Sequence, residues 1–434
     1  MFEAVKVALD PSPAQERLFQ SHAGGARFAY NAGLAHVKAA LDAGEKPEWT
    51  YYSLLRWWNA NKDILAVGED GEPWWKKNSK ESYARALESL AKALSNWSKS
   101  KRGVRKGRRV GFPKFKAKDR VTPKFACTTG SFGLIRNDPM GLWVPRVGRV
   151  HCMENVAKRV GDAKVKRMTI SQRAGRWYAS LTVKREDKPV ASPPKGGAVG
   201  VDLGVKTLAT LSDGTVIENP RYLQKSERKL KRAQRELSRK TKGSNRRAKA
   251  CAKVANLHAR VANQRLDALH KLTTRLAEKY SDISIEDLHV AGMVKNRHLA
   301  KSVSDAAFGE FRRRLEYKVA RTGARLHIVD RWYRSSKTCS NCGRVKAKLS
   351  LAERTYRCDS CGLVMDRDLN AAINILVAGS APETLNAHGA TVRRGGQTGR
   401  ATLVSVKCEP SVRHLGAVSL GAGGRKGALQ TTVR

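Results

Sequence analysis

Apolar and polar residues alternate along the opening MFEAVKVALD, a period of two that predicts one strand with a buried face. The period then lengthens. Leu18, Phe19, Ala23, Ala26, Phe28, Ala29 and Leu34 follow helical spacing, with Ser12 placed as an N-cap and Pro13 at the first helical position. SKESYARALESLAKALSNWSKS predicts a second long helix. Between the two lies WTYYSLLRWWN, whose aromatics at helical spacing read first as packing residues and second as surfaces for base stacking. From about 121 to 190 the pattern breaks into FGLIRN, GLWVPRVG, RMTISQR and RWYASLTVKR. These short runs of Val, Thr and aromatics predict a β-rich region that forms a small barrel with the N-terminal strand.

The linker KPVASPPKGG separates this region from a different pattern. AVGVDLGVKTLATLSDGTVIE predicts a buried strand, a second strand, a turn at Asp213-Gly214 and a third strand. A charged helical pair over roughly 222 to 280, interrupted at KTKGSN, comes next. DISIEDL predicts a fourth strand, SDAAFGEFRRRLEYKVARTG a single helix ended by Gly323, ARLHIVD a fifth strand and DLNAAINILVAG a closing helix. Three strands, helix, strand, helix, strand, helix is the order of an RNase H-like domain. No internal repeat is evident.

Charge changes the picture more than length does. In 434 residues, 84 Lys and Arg face 38 Asp and Glu, a net charge of +46 that would repel itself without an extended polyanion against it. Nucleic acid is the natural partner. The run KSKRGVRKGRRVGFPKFKAKDR is a glycine-punctuated basic linker suited to sugar-phosphate backbones, and it marks a domain edge. No run of ~18 apolar residues predicts a membrane span, and the N-terminus lacks the pattern of a secretory signal. A cytosolic protein is expected.

Eight cysteines do not make a disulfide framework in a chain this long. Cys127, Cys152, Cys251 and Cys408 are scattered singly and read as ordinary core or surface thiols. Cys339, Cys342, Cys358 and Cys361 have the spacing C-x2-C-x15-C-x2-C, which matches a zinc ribbon. Gly343 and Gly362 follow directly after each pair and permit the tight knuckle turn. Four thiolates close a tetrahedral site, so one structural Zn²⁺ is expected.

The second constellation is acidic. Asp202 sits in GVDLG on the first strand of the RNase H-like order, Glu286 ends the fourth, and Asp366 or Asp368 opens the last helix. Alone, each has a plain alternative: a turn residue, an exposed strand end, a helix cap. Together, carboxylates gathered from distant segments repel unless cations lie between them. Two Mg²⁺ ions would satisfy them and clamp a phosphodiester for hydrolysis. The cysteine module, inserted between the fifth strand and the last helix, is then planted at the rim of the acidic site.

GVDLGVKTLAT, ISIEDL, SSKTCSNCG, YRCDSCG and DRDLNAAINI, in that order, resemble the TnpB family, RNA-guided nucleases of bacterial insertion sequences. GFPKFK and the helical opening resemble its N-terminal half, so the likeness covers roughly residues 1 to 378. The resemblance implies an α/β multidomain protein. Its parts would be a wedge-like β-barrel (1–10 and 109–190), a helical recognition insertion (11–108), a RuvC nuclease domain (191–335 and 363–378) and a zinc ribbon (336–362). It further implies a guide RNA from the transposon end, double-stranded target DNA beside a short protein-read motif, and Asp202, Glu286 and Asp368 as catalytic, magnesium-holding carboxylates. Asp368 is preferred to Asp366 because it directly precedes the LNAA helix start. In such systems base pairing supplies sequence specificity while the protein holds backbones.

Two rivals remain at this level. One is a transposase that joins strands with the same core, against which stand the absence of a His-hydrophobic-His motif and an aspartate, not a glutamate, in the last catalytic helix. The other is a nuclease-inactive guided repressor, against which the intact acids count. The segment 379–434, rich in Gly, Arg, Val and Thr, is expected to be a disordered tail shaped by the RNA-coding function of the gene end. A monomer is compatible with this reading, and nothing in the sequence specifies the oligomeric state.

Overall fold

The computed structural model describes residues 2–380, apart from 119, 129–131, 187–191 and 351. The expected tail falls outside the described residues from 381 onward. In chain order the elements begin with β1 (Phe2–Asp10), α1 (Pro13–Asp42), α2 (Tyr51–Leu65), α3 (Lys80–Lys101) and β2 (Lys124–Cys127). Next come β3 (Gly133–Ile135), β4 (Asp138–Val144), β5 (Gly148–Cys152), α4 (Val156–Val160), β6 (Lys164–Arg173) and β7 (Arg176–Lys184). They continue as β8 (Gly196–Asp202), β9 (Thr207–Leu211), β10 (Val216–Glu218), α5 (Tyr222–Ser238), α6 (Asn245–Lys279) and β11 (Tyr280–Glu286). The last are α7 (Val290–Met293), α8 (Ala300–Ala306), α9 (Phe308–Thr322), β12 (Arg325–Val329), β13 (Thr355–Arg357), β14 (Val364–Asp366) and α10 (Arg367–Ser380). The fold is α/β. It divides into two compact units, one of Met1–Gly196, Asn219–Ser281 and Val290–Arg325, the other of Gly197–Glu218, Asp282–His289 and Leu326 onward.

The first unit is built on a seven-stranded sheet in the order β2-β6-β7-β1-β5-β4-β3. β1 pairs antiparallel with β7 through Phe2–Ala8, then its end, Leu9 and Asp10, pairs with β5. The N-terminal strand thus joins two meanders that follow it by well over a hundred residues. Its alternation buries Val5, Val7 and Leu9 in the same core as Met168, Ile170, Trp177, Ala179, Leu181 and Val183. α1 starts with a capping box: the Ser12 hydroxyl accepts from Gln15 N, and the Gln15 side chain accepts from Ser12 N at 3.0 Å. The aromatic stretch serves mainly as packing, with Trp58 buried against Tyr83 at 5.2 Å between centroids and Trp57 stacked on His36 at 4.5 Å.

One helix differs from expectation. The stretch predicted as a single helix before Gly323 is split by Ala307, which takes a left-handed conformation (φ 57°) between α8 and α9. Val303 and Ala306 before the break and Phe308 and Phe311 after it are buried, apolar burial that offsets one strained alanine. α5 and α6 are tied to this corner by Asp305, which accepts from Leu223 N and pairs with Arg265 at 2.7 Å.

The second unit is a five-stranded sheet ordered β10-β9-β8-β11-β12, so the first of its strands in sequence is central. β8 and β9 are antiparallel, with Asp202 opposite Thr210. Val199, Val201, Leu208, Ala209, Leu211, Ile283 and Ile285 of the strands are buried, as are Ala371, Ala372 and Ile375 of α10. Gly200 makes that packing possible: a Cβ there would stand 2.0 Å from the Ala372 carbonyl oxygen. The antiparallel pair β13-β14 leads straight into α10.

Candidate active site and metal centre

Asp202 ends the central strand β8, Glu286 ends its neighbour β11, and Asp368 lies in the first turn of α10. Side chains from two adjacent strand ends and one helix start are therefore directed to one place. Asp202 is enclosed, and enclosure, then the charges of Glu286 and Asp368, push its carboxyl up to about 8 against the opposing effect of Arg367. Glu286 is raised by its own burial, partly offset by a hydrogen bond from the Ser335 hydroxyl.

Asp366 plays a different part. Its Oδ1 accepts from the backbone N–H groups of Asp368 (2.9 Å) and Leu369 (3.0 Å), capping the start of α10. It is the last of the charges acting on Asp202, after Glu286, Asp368 and Arg367. This favours Asp368 over Asp366 as the third acid of the group.

The four predicted cysteines converge. Cys339 Sγ lies 3.6 Å from Cys361 Sγ, and Cys342 Sγ 3.6 Å from Cys358 Sγ. All four sulfurs fall within 4.8 Å of one another, the single group of His, Cys, Asp or Glu ligand atoms packed so closely among the described residues. The spacing is far too long for a disulfide, while a tetrahedron with ~2.3 Å metal–sulfur bonds has edges of about 3.8 Å. The donor set fits zinc. The two knuckles repeat one another: Gly343 N donates to Cys339 O and Gly362 N to Cys358 O, with φ of 72° and 71° at the glycines. A Leu363 N–H, with help from Asn341, pulls the Cys361 thiol down to about 6, toward the thiolate a metal requires.

Three residues that tie the two centres together were not singled out from the sequence. Asn370 and Asn374, one turn apart on α10, are buried and hydrogen-bonded. Asn370 donates to Thr338 O at 2.7 Å and accepts from Ser340 N at 3.0 Å. Asn374 donates to Ser335 O at 2.8 Å and Thr338 O at 2.7 Å. Ser335 is the third, since its hydroxyl reaches Glu286. The amides at i and i+4 on an otherwise apolar helix face were the available signal, because buried amides occur where a backbone needs partners.

Residues 180–297 match a family model described as "Probable transposase", residues 308–375 one described as "Cas12f1-like, TNB domain", and residues 1–46 one described as "Helix-turn-helix domain". A Mycobacterium tuberculosis H37Rv protein named "Putative RNA-guided DNA endonuclease" is 36% identical over 419 residues, 91% of this chain and 90% of its own length. This chain belongs to the TnpB family. Another relative within reach of the TnpB chain is "Putative RNA-guided DNA endonuclease InsQ" of Escherichia coli K12, 33% identical over 87% of this chain and 92% of that one. A solved chain from a Cas12f1, guide RNA and target DNA complex overlaps at a TM-score of 0.47 with 13% identity, covering 86% of this chain and 98% of that one. In this TnpB member the span matched as helix-turn-helix is a strand followed by one uninterrupted 30-residue helix.

Proposed function

We propose that the chain is an RNA-guided DNA endonuclease that hydrolyses phosphodiester bonds at Asp202, Glu286 and Asp368. The observation that carries this reading is the convergence of Asp202, Glu286 and Asp368 from two adjacent strand ends and one helix start, where the charges of Glu286 and Asp368 bear on Asp202. Hard oxygen donors of this kind fit divalent cations such as Mg²⁺, as the four thiols fit zinc. Bound Mg²⁺ ions supply Lewis acidity and a water made nucleophilic near neutral pH.

The residues' own contributions follow from their places. Asp202 is fixed by the central strand, and its burial and the neighbouring charges favour its protonated form until a cation is bound. Glu286, with one oxygen occupied by the Ser335 hydroxyl, presents the other. Asp368 rides on the capped start of α10, so its position is as fixed as the helix. The net charge of +46 suits a protein that holds both a guide RNA and a DNA target by their backbones. No helix among the described residues is long and apolar enough to cross a membrane.

Within this reading the seven-stranded sheet, with residues 1–10 and 109–190, is the wedge, residues 11–108 are the recognition insertion, and the five-stranded sheet with α10 is the RuvC-type, RNase H-like core. The guide comes from the transposon end. The test is sequencing of co-purifying RNA, then cleavage of a plasmid matched to its 3′ end beside a randomised flank. Cutting that requires Mg²⁺ and is lost in Asp202→Ala supports the endonuclease. Discrete RNA without cutting points to a guided repressor, and no discrete RNA to a direct transposase.

A further inference from the structure

We infer that Asn370, Asn374 and Ser335 form a positioning relay through which α10 sets the orientation of Glu286. The inference rests on the reading of Asp202, Glu286 and Asp368 as a metal-holding group. It assigns roles to three residues that neither touch substrate nor ligate metal.

Glu286 is the last residue of its strand, so the sheet fixes its backbone but not the rotation of its carboxylate. That rotation is set by the Ser335 hydroxyl, which donates to Oε1 from 49 residues further along the chain. Ser335 lies in no helix or strand, and a serine on an unsupported loop would hold nothing. Here the loop is supported. The Ser335 carbonyl receives the Asn374 amide at 2.8 Å, and the Thr338 carbonyl receives both asparagine amides at 2.7 Å. Ser340 N closes the strap onto Asn370 Oδ1 at 3.0 Å. Cys339, a ligand of the thiol centre, lies between the last two anchor points.

The strap from Ser335 to Ser340 is therefore clamped along its length to the helix that carries Asp368. One rigid element sets two of the three acids: Asp368 directly and Glu286 through the strap. Asparagine is the side chain that does this, because each site needs an amide N–H aimed at a carbonyl and, at Asn370, a carbonyl oxygen for a backbone N–H as well. Aspartate has the same shape and lacks the donor. Removing a partner that orients a metal ligand costs ~10–100-fold in metal affinity.

The experiment uses the full chain without nucleic acid and reads free Mn²⁺ by its electron paramagnetic resonance signal, alongside zinc content per chain. Asp202→Ala defines the Mn²⁺ bound at the acidic group. Ser335→Ala is expected to weaken that binding ~tenfold with one zinc retained. Ser335→Thr, which keeps the hydroxyl, should restore it, and Asn374→Asp should weaken it as Ser335→Ala does. Unchanged Mn²⁺ affinity in Ser335→Ala overturns the relay, as does zinc loss in that variant or failure of threonine to rescue, since both would mean a merely structural strap. If Asp202→Ala and the wild type bind Mn²⁺ alike, the metal-holding reading itself falls, and the relay with it.

Discussion

Gly200 of the central strand lies directly beneath Ala372 of the closing helix, so close that an added Cβ would meet the Ala372 carbonyl oxygen at 2.0 Å and Leu376 N at 2.6 Å. Ala372 is one helical turn beyond Asp368, and Gly200 is two residues before Asp202 on the same face of its strand. The contact that packs the helix on the sheet is thus the contact that brings the first and third acids together.

Gly200→Ala should separate them. The clash is with backbone on both sides, so α10 must shift, at a cost of ~1–3 kcal/mol. Because a displacement of about 1 Å near the chemistry costs ~100-fold in rate, guided cleavage should fall by that order while guided DNA binding is retained. Thermal melting and parallel binding and cleavage assays check both halves.

Asp202 makes the stability of the metal-free protein depend on pH. Its folded pKa, about 8, lies above the ~3.9 of an unfolded aspartate. The folded state therefore binds the extra proton between those values, and stability falls as pH rises through that window. Asp202→Asn removes the effect. In EDTA the variant should melt several degrees above wild type at pH 8 to 9, with the difference shrinking toward pH 4.

His22 makes the first unit sensitive in the opposite direction. It is fully buried, and its Nε2 accepts the Ser79 N–H at 3.0 Å while Nδ1 donates to Leu18 O at 2.8 Å, so the ring is neutral. Burial lowers its pKa below the usual histidine value. The folded state then binds fewer protons than the unfolded one, and stability present above ~6.5 is lost as pH falls, by at most about 1.4 kcal/mol per pH unit. Urea titrations from pH 7 to 5 should show this slope in the wild type and a flatter one in His22→Gln.

The four-cysteine centre should bind one zinc per chain, measurable by elemental analysis, and Cys358→Ser should lose it. With on the order of 10 kcal/mol of local folding energy tied to the metal, the segment around β13 and β14 should open. The remaining thiols would then react freely with a thiol reagent, while the β1–β7 sheet keeps its melting transition.

Much of this architecture was legible in short stretches of chain. The Ser12 N-cap with Pro13 behind it, the alternation of β1, the cysteine spacing with its two glycines and the strand order around Asp202 each concern neighbouring residues or a fixed period. Backbone propensity and local burial act at that range. The split at Ala307 was not read from SDAAFGEF, because its one weak helix former, Gly309, does not by itself end a helix and alanine ordinarily continues one. The left-handed Ala307 accompanies the burial of Phe308 and Phe311, which depends on the rest of the fold.

The candidate site divides along the same line. Its acids and thiols were readable as residue types at telling positions, since charge and metal chemistry restrict which side chains serve. The preference for Asp368 was already available from the LNAA helix start, and the folded chain added that Asp366 is the capping acid; the grip of Asn370, Asn374 and Ser335 came only with the folded chain. Hydrogen bonds between groups 30 to 50 residues apart in sequence leave no period and no spacing rule, and their partners are chosen by how a helix settles on a sheet.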